Sequence, residues 1–210
     1  MLVAAIIARM DLFSDHDPGL LAIPIEDGEL YFQQRLPLPD GLTPELVMQC
    51  LLEETSWRAE HITVYGKTYL QPRLTAWHGE ASYTYSGMTL HPLPFTPLQL
   101  LLKQAVEQAT GRQFNSVLLN YYRDQRDSMG FHADDEKELG PHPAIASLSF
   151  GASRIFILKH RRLPRQLKLA LGHGSLLLMA GALQSHWLHG INKESKPCGP
   201  RINLTFRNIL

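Results

Sequence analysis

The chain contains no apolar tract near the roughly 20 residues that a membrane-spanning helix needs. The apolar opening Met1–Ala8 has no basic residue ahead of it and is ended by Arg9 and Asp11, which argues against a secretory signal; Met10 is an alternative start. Only two cysteines occur, Cys50 and Cys198, so there is no disulfide framework and no cysteine spacing for zinc. That pattern suits a reducing compartment, and the expectation is a cytoplasmic protein, or a nuclear one in a eukaryote. Acid is also scarce in one region. Residues 139–210 hold a single carboxylate side chain, Glu194, against 10 Lys and Arg, whereas residues 1–138 hold 19 Asp and Glu against 10 Lys and Arg. The net charge of zero therefore conceals an acidic first part and a basic second part. A basic half builds a local positive surface for phosphates, except where its charges are spent on the acidic half.

Length and an ordinary composition suit one domain with a sizeable core. Residues 1–42 are rich in turn formers (Asp17-Pro18-Gly19, Pro37-Leu38-Pro39-Asp40-Gly41) and read as an N-terminal extension packed on the domain, with one or two short strands. Residues 43–210 read as a single domain. Thr43-Pro44 opens a helix running to about Thr55, with Thr at the N-cap and Pro at the first helical position. Thr96-Pro97 repeats the device for a helix that ends at Thr110, where Gly111 is the stop. From Ser116 onward short strand-like runs follow one another: 116–122, 144–150, 154–158, 166–169, 175–179 and 201–208. Many short strands at such intervals predict an α+β fold with a sandwich or jelly roll, buttressed by the N-terminal helices, and not a βαβ sheet.

His132-Ala133-Asp134 is the first feature with chemistry in it. In extended backbone residues i and i+2 point to one side, so the imidazole and the carboxylate can share a metal ion. A second histidine would complete a 2-His-1-carboxylate triad with open positions for Fe(II). His173, His186 and His189 are the downstream candidates, and spacing alone does not choose among them.

The segment Arg201-Ile202-Asn203-Leu204-Thr205-Phe206-Arg207 alternates strictly, with the three apolar residues on one face and the four polar ones on the other. That is a strand with one face in a core. Six residues at ~3.3 Å each separate the two arginine Cα atoms by about 20 Å. Two long side chains leaning inward can grip a short dicarboxylate, for which the guanidinium fork is suited.

Asn120-x-Tyr122, His132-x-Asp134-Asp135-Glu136, Ser147-Leu148-Ser149-Phe150-Gly151, His173-Gly174-Ser175-Leu176-Leu177, Trp187-Leu188-His189 and Pro200-Arg201-Ile202-Asn203-Leu204-Thr205-Phe206-Arg207 occur in that order. Together they resemble the AlkB family of Fe(II)/2-oxoglutarate-dependent dioxygenases, in its nucleic-acid alkylation-repair branch. The resemblance runs from about Tyr65 onward and implies a double-stranded β-helix. It also implies iron ligands at His132, Asp134 and the histidine twelve residues before Arg201, which is His189. Co-substrate contacts are implied at Asn120, Tyr122, Arg201, Asn203 and Arg207, and His173 is expected to be structural. The implied cofactors are Fe(II), 2-oxoglutarate and O2, and the implied reaction is oxidative demethylation of bases such as 1-methyladenine and 3-methylcytosine, with release of succinate, CO2 and formaldehyde.

A base inside a duplex must be flipped out to reach buried iron. The resemblance assigns the lesion pocket to Tyr83 and Tyr85, the lesion amine to Asp135 beside Glu136, a gap-filling hairpin tip to Tyr65 and a nucleic-acid contact to Arg73. The basic run 159–168 is expected to meet phosphates. The expected partner of this DNA-repair enzyme is alkylated DNA, single- or double-stranded, with RNA as a further substrate, met by a monomer that binds no membrane. The alternative is the same chemistry on a protein or small molecule.

Overall fold

The computed structural model describes residues 19–64, 67–80, 83–85, 88–90 and 92–210. In chain order they form β1 (Leu21–Ala22), β2 (Glu29–Gln33), α1 (Pro44–Glu54), β3 (His61–Val64), β4 (Lys67–Leu70), β5 (Leu74–Gly79), β6 (Tyr83–Tyr85), β7 (Met88–Leu90), α2 (Pro97–Thr110), β8 (Ser116–Tyr122) and β9 (Met129–His132). A 3-10 turn (Lys137–Leu139), β10 (Ile145–Gly151), β11 (Arg154–His160), β12 (Gln166–Leu171), β13 (Leu176–Ala180), the single turn α3 (Leu183–His186), β14 (Trp187–Ile191) and β15 (Arg201–Arg207) follow.

Both longer helices start on the signals in the sequence, and the second also stops on one. Thr43 Oγ1 accepts from Leu46 N, and Thr96 forms a reciprocal capping box with Gln99. Gly111 closes α2 at φ 65°, a left-handed conformation that glycine adopts without steric cost. No described helix is long and apolar enough to cross a membrane.

The strands make two sheets. The larger runs β1-β2-β13-β10-β15-β8-β5 and the smaller β12-β11-β14-β9, with antiparallel pairing throughout. Residues 29–33 thus lie within the larger sheet's ladder, Leu30 opposite Met179. The hairpins β3–β4 and β6–β7 stand apart from both sheets.

Period-two alternation gives each sheet an inner face, and the two inner faces meet. Trp77, Leu118, Ile145 and Leu177 of the larger sheet pack with Phe156, Leu158, Leu169 and Trp187 of the smaller. The arrangement is consistent with a jelly roll. On the other side of the larger sheet, Ile202, Leu204 and Phe206 share a second core with Val47 and Leu51 of α1 and with Leu102 and Val106 of α2. The strict alternation of β15 therefore serves two compartments: an apolar face for the helix side, and a polar face turned into the sandwich.

One irregularity shapes the site. His189 pairs with His132 and Ile191 with Met129, so Gly130 and Phe131 together oppose the single residue Gly190. This is a β-bulge, which bends a strand and re-aims its side chains. A Cβ on Gly190 would stand 2.9 Å from the Met129 carbonyl oxygen and 3.2 Å from that of Gly130. Backbone cannot yield as a side-chain tip can. Gly190→Ala is therefore expected to cost about 1–3 kcal/mol of stability, the usual range for overpacking, and to push β9 off its register. Urea unfolding checks the first and the His132 ring resonances the second; wild-type values for both would refute the close approach.

Candidate active site

Between the two sheets lies a pocket lined by inner-face residues of both. Four of these come from β15: Arg201, Asn203, Thr205 and Arg207. Their ladder partners on β8 include Tyr122 opposite Arg201 and Asn120 opposite Asn203. The bulged β9 and β14 supply the other wall with His132 and His189, and Asp134 follows directly on β9.

His132, Asp134 and His189 converge, with one candidate ligand atom of each lying within 4.8 Å of the others. The hydrogen bonds prepare them as ligands. His132 Nδ1 lies 3.0 Å from the Gly130 carbonyl and must carry the proton to bond it, which leaves the Nε2 lone pair available. The two rings lie 4.3 Å apart between centroids, and Phe156 stacks on His189. Asp134 is held from two directions: Arg207 Nη2 donates to its Oδ1 at 2.7 Å, and its own backbone N–H donates to Gln184 Oε1 at 3.0 Å. Its second oxygen, Oδ2, is buried, has no hydrogen-bond partner and lies 3.7 Å from His189 Nε2. A buried carboxylate oxygen without a donor is costly, and a divalent cation between it and two imidazoles removes that cost. The residues present therefore fit a metal ion.

Burial opposes the Asp134 charge, but the Arg207 guanidinium, His189 and His132 outweigh it and hold the carboxyl at about 2. At His189 burial dominates, reinforced by His132 and opposed by Asp134, and pulls the imidazole down to about 3. The ring is thus neutral at ordinary pH, the form that binds metal.

The other end of the pocket is cationic. Arg201 is buried to 1% exposure and donates through Nη2 to Ser149 Oγ at 2.9 Å. Its Nε and Nη1 make no well-aligned hydrogen bond, although the Tyr122 ring lies alongside, 5.1 Å from ring centroid to guanidinium carbon. Desolvation lowers Arg201 to about 10, with Tyr122 opposing, so it remains charged at neutral pH. Between the arginines, Asn203 donates to Ser147 Oγ and accepts from Thr205 Oγ1, while Asn120 Oδ1 accepts from Arg73 Nε at 2.7 Å.

The remaining expected residues fall as follows. Arg73 is buried among these polar groups, with its Nε on Asn120. Asp135 is exposed and paired with Arg161 at 2.7 Å, and Glu136 is half-buried beside it. Tyr83 and Tyr85 lie on β6, where the backbone alone is described, and Tyr65 lies outside the described residues. His173 accepts from Gly151 N and faces Glu45 of α1, away from the metal cluster.

Several supports carried no signal in the sequence. Arg154 is fully buried and donates to the carbonyls of Asp124, Asp127 and Asn192, which ties the β8–β9 turn to the exit of β14. Glu194, the lone acid of the basic region, lies 3.5 Å from Arg154. A second grouping of possible ligands, Asp27, His160 and His186, is explained by hydrogen bonds. His160 Nδ1 accepts from the backbone N–H groups of Arg162 and Leu163, so Nε2 carries the proton toward Asp27 Oδ2 and has no lone pair for a metal.

The two displaced pKa values set an acid limit on the metal-free protein. Below 6.5 the unfolded chain protonates His189 and the native state does not until about 3, so stability falls as pH drops through that window. Asp134 contributes stability in full above 3.8 and loses it as pH falls toward about 2. His189→Gln removes the first of these effects. Its unfolding free energy is expected to vary less steeply with pH just below 6.5 than that of the wild type, and an equal slope would contradict the buried neutral imidazole.

Comparison with known proteins gives a concordant result. The model of the 2OG-Fe(II) oxygenase superfamily matches residues 38–207. The chain is 44% identical to the alpha-ketoglutarate-dependent dioxygenase alkB homolog 3 of Bos taurus over 78% of its own length, and spans 60% of that relative. It is 43% identical to the DNA oxidative demethylase ALKBH2 of Homo sapiens, covering 71% of this chain and 61% of that one. The ALKBH2 demethylase of Arabidopsis thaliana is 35% identical, with 76% of its length covered. The solved structure of OsALKBH1 shares the fold, with a TM-score of 0.61 at 15% identity over 89% of this chain and 99% of that one. On the matched residues and the site they build, the chain belongs to the AlkB family within the 2OG-Fe(II) oxygenase superfamily.

Proposed function

We propose that the protein is an Fe(II)- and 2-oxoglutarate-dependent dioxygenase that removes N-alkyl groups from nucleobases in DNA, and in RNA by the same chemistry. The observation that carries this reading is the pairing, in one pocket, of the partnerless Asp134 Oδ2 between two imidazoles with the incompletely bonded Arg201 cation. His132, Asp134 and His189 hold the metal. Arg201 takes the distal carboxylate of 2-oxoglutarate beside Tyr122, while Asn120, Asn203 and Arg207 line its path. Iron bound there with 2-oxoglutarate and O2 supplies the oxidising power that hydroxylates an N-alkyl carbon and releases succinate, CO2 and, from a methyl lesion, formaldehyde. Met129, Phe156 and Ile191 keep this end of the pocket apolar and limit water.

The substrate side follows from charge and exposure. The half-exposed Asp135–Arg161 pair contributes little, about 0–1 kcal/mol, so a cationic base such as 1-methyladenine or 3-methylcytosine competes for the Asp135 carboxylate. Glu136 adds negative charge beside it. Tyr83 and Tyr85 stack on the flipped base and Tyr65 fills the gap it leaves, whereas Arg73, expected at the nucleic acid, is buried with its Nε on Asn120 and is better suited to holding that side chain in place. The hairpin of residues 159–168 brings Lys159, Arg162 and Lys168 to phosphates. The enzyme acts as a monomer in the cytoplasm, or in the nucleus of a eukaryote. Residues 43–210 are its catalytic domain, buttressed by α1 and α2; residues up to 42 are an extension that lends β1 and β2 to the sheet edge.

Formaldehyde release from methylated oligonucleotides, single-stranded and duplex, tests this directly. Release should require Fe(II) and 2-oxoglutarate and should vanish in His132→Ala and Asp134→Ala. Succinate formation stimulated only by proteins or small molecules would overturn the nucleic-acid reading. Arg201→Ala should raise the 2-oxoglutarate concentration for half-maximal rate by at least about tenfold, the loss of one charged hydrogen bond. An unchanged requirement would remove Arg201 from the co-substrate site.

A further inference from the structure

Gln184 touches neither metal nor co-substrate, yet it is 1% exposed and its Oε1 accepts the backbone N–H of the ligand residue Asp134 at 3.0 Å. The amide orientation is fixed by chemistry, because an N–H can bond only the carbonyl end. The Nε2 end then faces Met179 Sδ, a weak acceptor, at 3.7 Å. Gln184 lies on α3, the turn that leads straight into β14 and the second imidazole ligand, His189. A buried hydrogen bond thus adds to the β9–β14 pairing and ties the backbone of Asp134 itself to the segment that leads to His189, across 50 positions of sequence.

We propose that Gln184 is a positioning residue for the metal: it fixes the Asp134 backbone so that, with Oδ1 held by Arg207, only Oδ2 is presented to the ion. This rests on the metal reading of the triad. With one carboxylate oxygen committed to Arg207, Asp134 binds through a single oxygen and leaves coordination positions open for co-substrate. Without the Gln184 carbonyl, the Asp134 N–H is left buried and unpaired, and the 133–135 backbone turns to find another acceptor. Groups that orient metal ligands in this way typically change metal affinity 10- to 100-fold when removed.

The test is Co(II) titration, as a stand-in for Fe(II), of full-length wild type, Gln184→Met and Gln184→Glu, alongside thermal unfolding of the metal-free forms. Methionine keeps the volume and loses the acceptor; glutamate keeps an acceptor oxygen. Gln184→Met should bind Co(II) about tenfold more weakly while still folded, its Asp134 amide should exchange with solvent faster, and Gln184→Glu should return affinity to within a few-fold of wild type. Wild-type affinity in Gln184→Met would overturn the proposal alone and leave the metal site standing. A wild-type protein that binds no Co(II) would overturn the metal reading and this proposal with it.

Discussion

The contact between Asp134 and Arg207 governs the interior of this molecule. Both side chains are buried, at 1% and 3% exposure of the side chain, and neither charge is tolerable there alone. Removing one partner of such a pair typically costs about 3–5 kcal/mol, because the other remains charged and dry. The pair joins the end of β15, a strand inside the larger sheet, to the segment leaving β9 in the smaller sheet. It therefore fixes the depth of the pocket, the orientation of the carboxylate and the sign of the charge at each end. The polar rungs of β15, from Arg201 to Arg207, are spaced along a ladder whose far end is anchored by this contact.

The uneven charge of the chain resolves in three dimensions. Arg207 meets Asp134, Arg161 meets Asp135 and Arg165 meets Glu26, each a basic residue of the last third against an acid of the first two thirds. Part of the basic region is thus spent on folding and on the pocket rim. Lys159 lies over the Phe131 ring at 3.9 Å. Arg162, in the turn of the hairpin, and Lys168, on its second arm, stay exposed. Net charge alone hides this distribution, which only the paired positions make visible.

How much of this was legible depends on the range of each interaction. The caps of α1 and α2 are decided within four residues, and Thr43, Thr96 and Gly111 announced them. The alternation in residues 201–207 identified β15 and both its faces, because a strand inside a two-sided sheet must satisfy both at once. By contrast β9 and β14 had no clear pattern: the bulge at Gly130-Phe131 breaks the alternation, and Gly190 is small for the sake of a neighbouring strand's backbone. For the same reason spacing could not separate His189 from His173 and His186. The choice is made by register between strands 57 residues apart, His132 opposite His189, which only the family pattern or the fold supplies. Gln184 and Arg154 act on backbone atoms of distant turns, and such contacts leave no trace in local sequence. Arg73 was visible as a cation, but its burial against Asn120 was not.

The position of β15 has a consequence for how the chain reaches this state. Its neighbour β8 precedes it by most of the second half of the chain and its neighbour β10 by about half of it, and the bond from Ser116 Oγ to the Arg207 carbonyl closes a loop of 91 positions. Until that loop closes, β8 and β10 face each other across a vacant lane with unpaired edges, and Arg207, which neutralises Asp134, and Arg201, which lines the other end of the pocket, are elsewhere. Closing such long loops is slow, since their entropy is lost before any contact repays it. Assembly of the pocket therefore waits on the insertion of β15 between β8 and β10, and a sheet lacking it would present unpaired strand edges of the kind that favour aggregation.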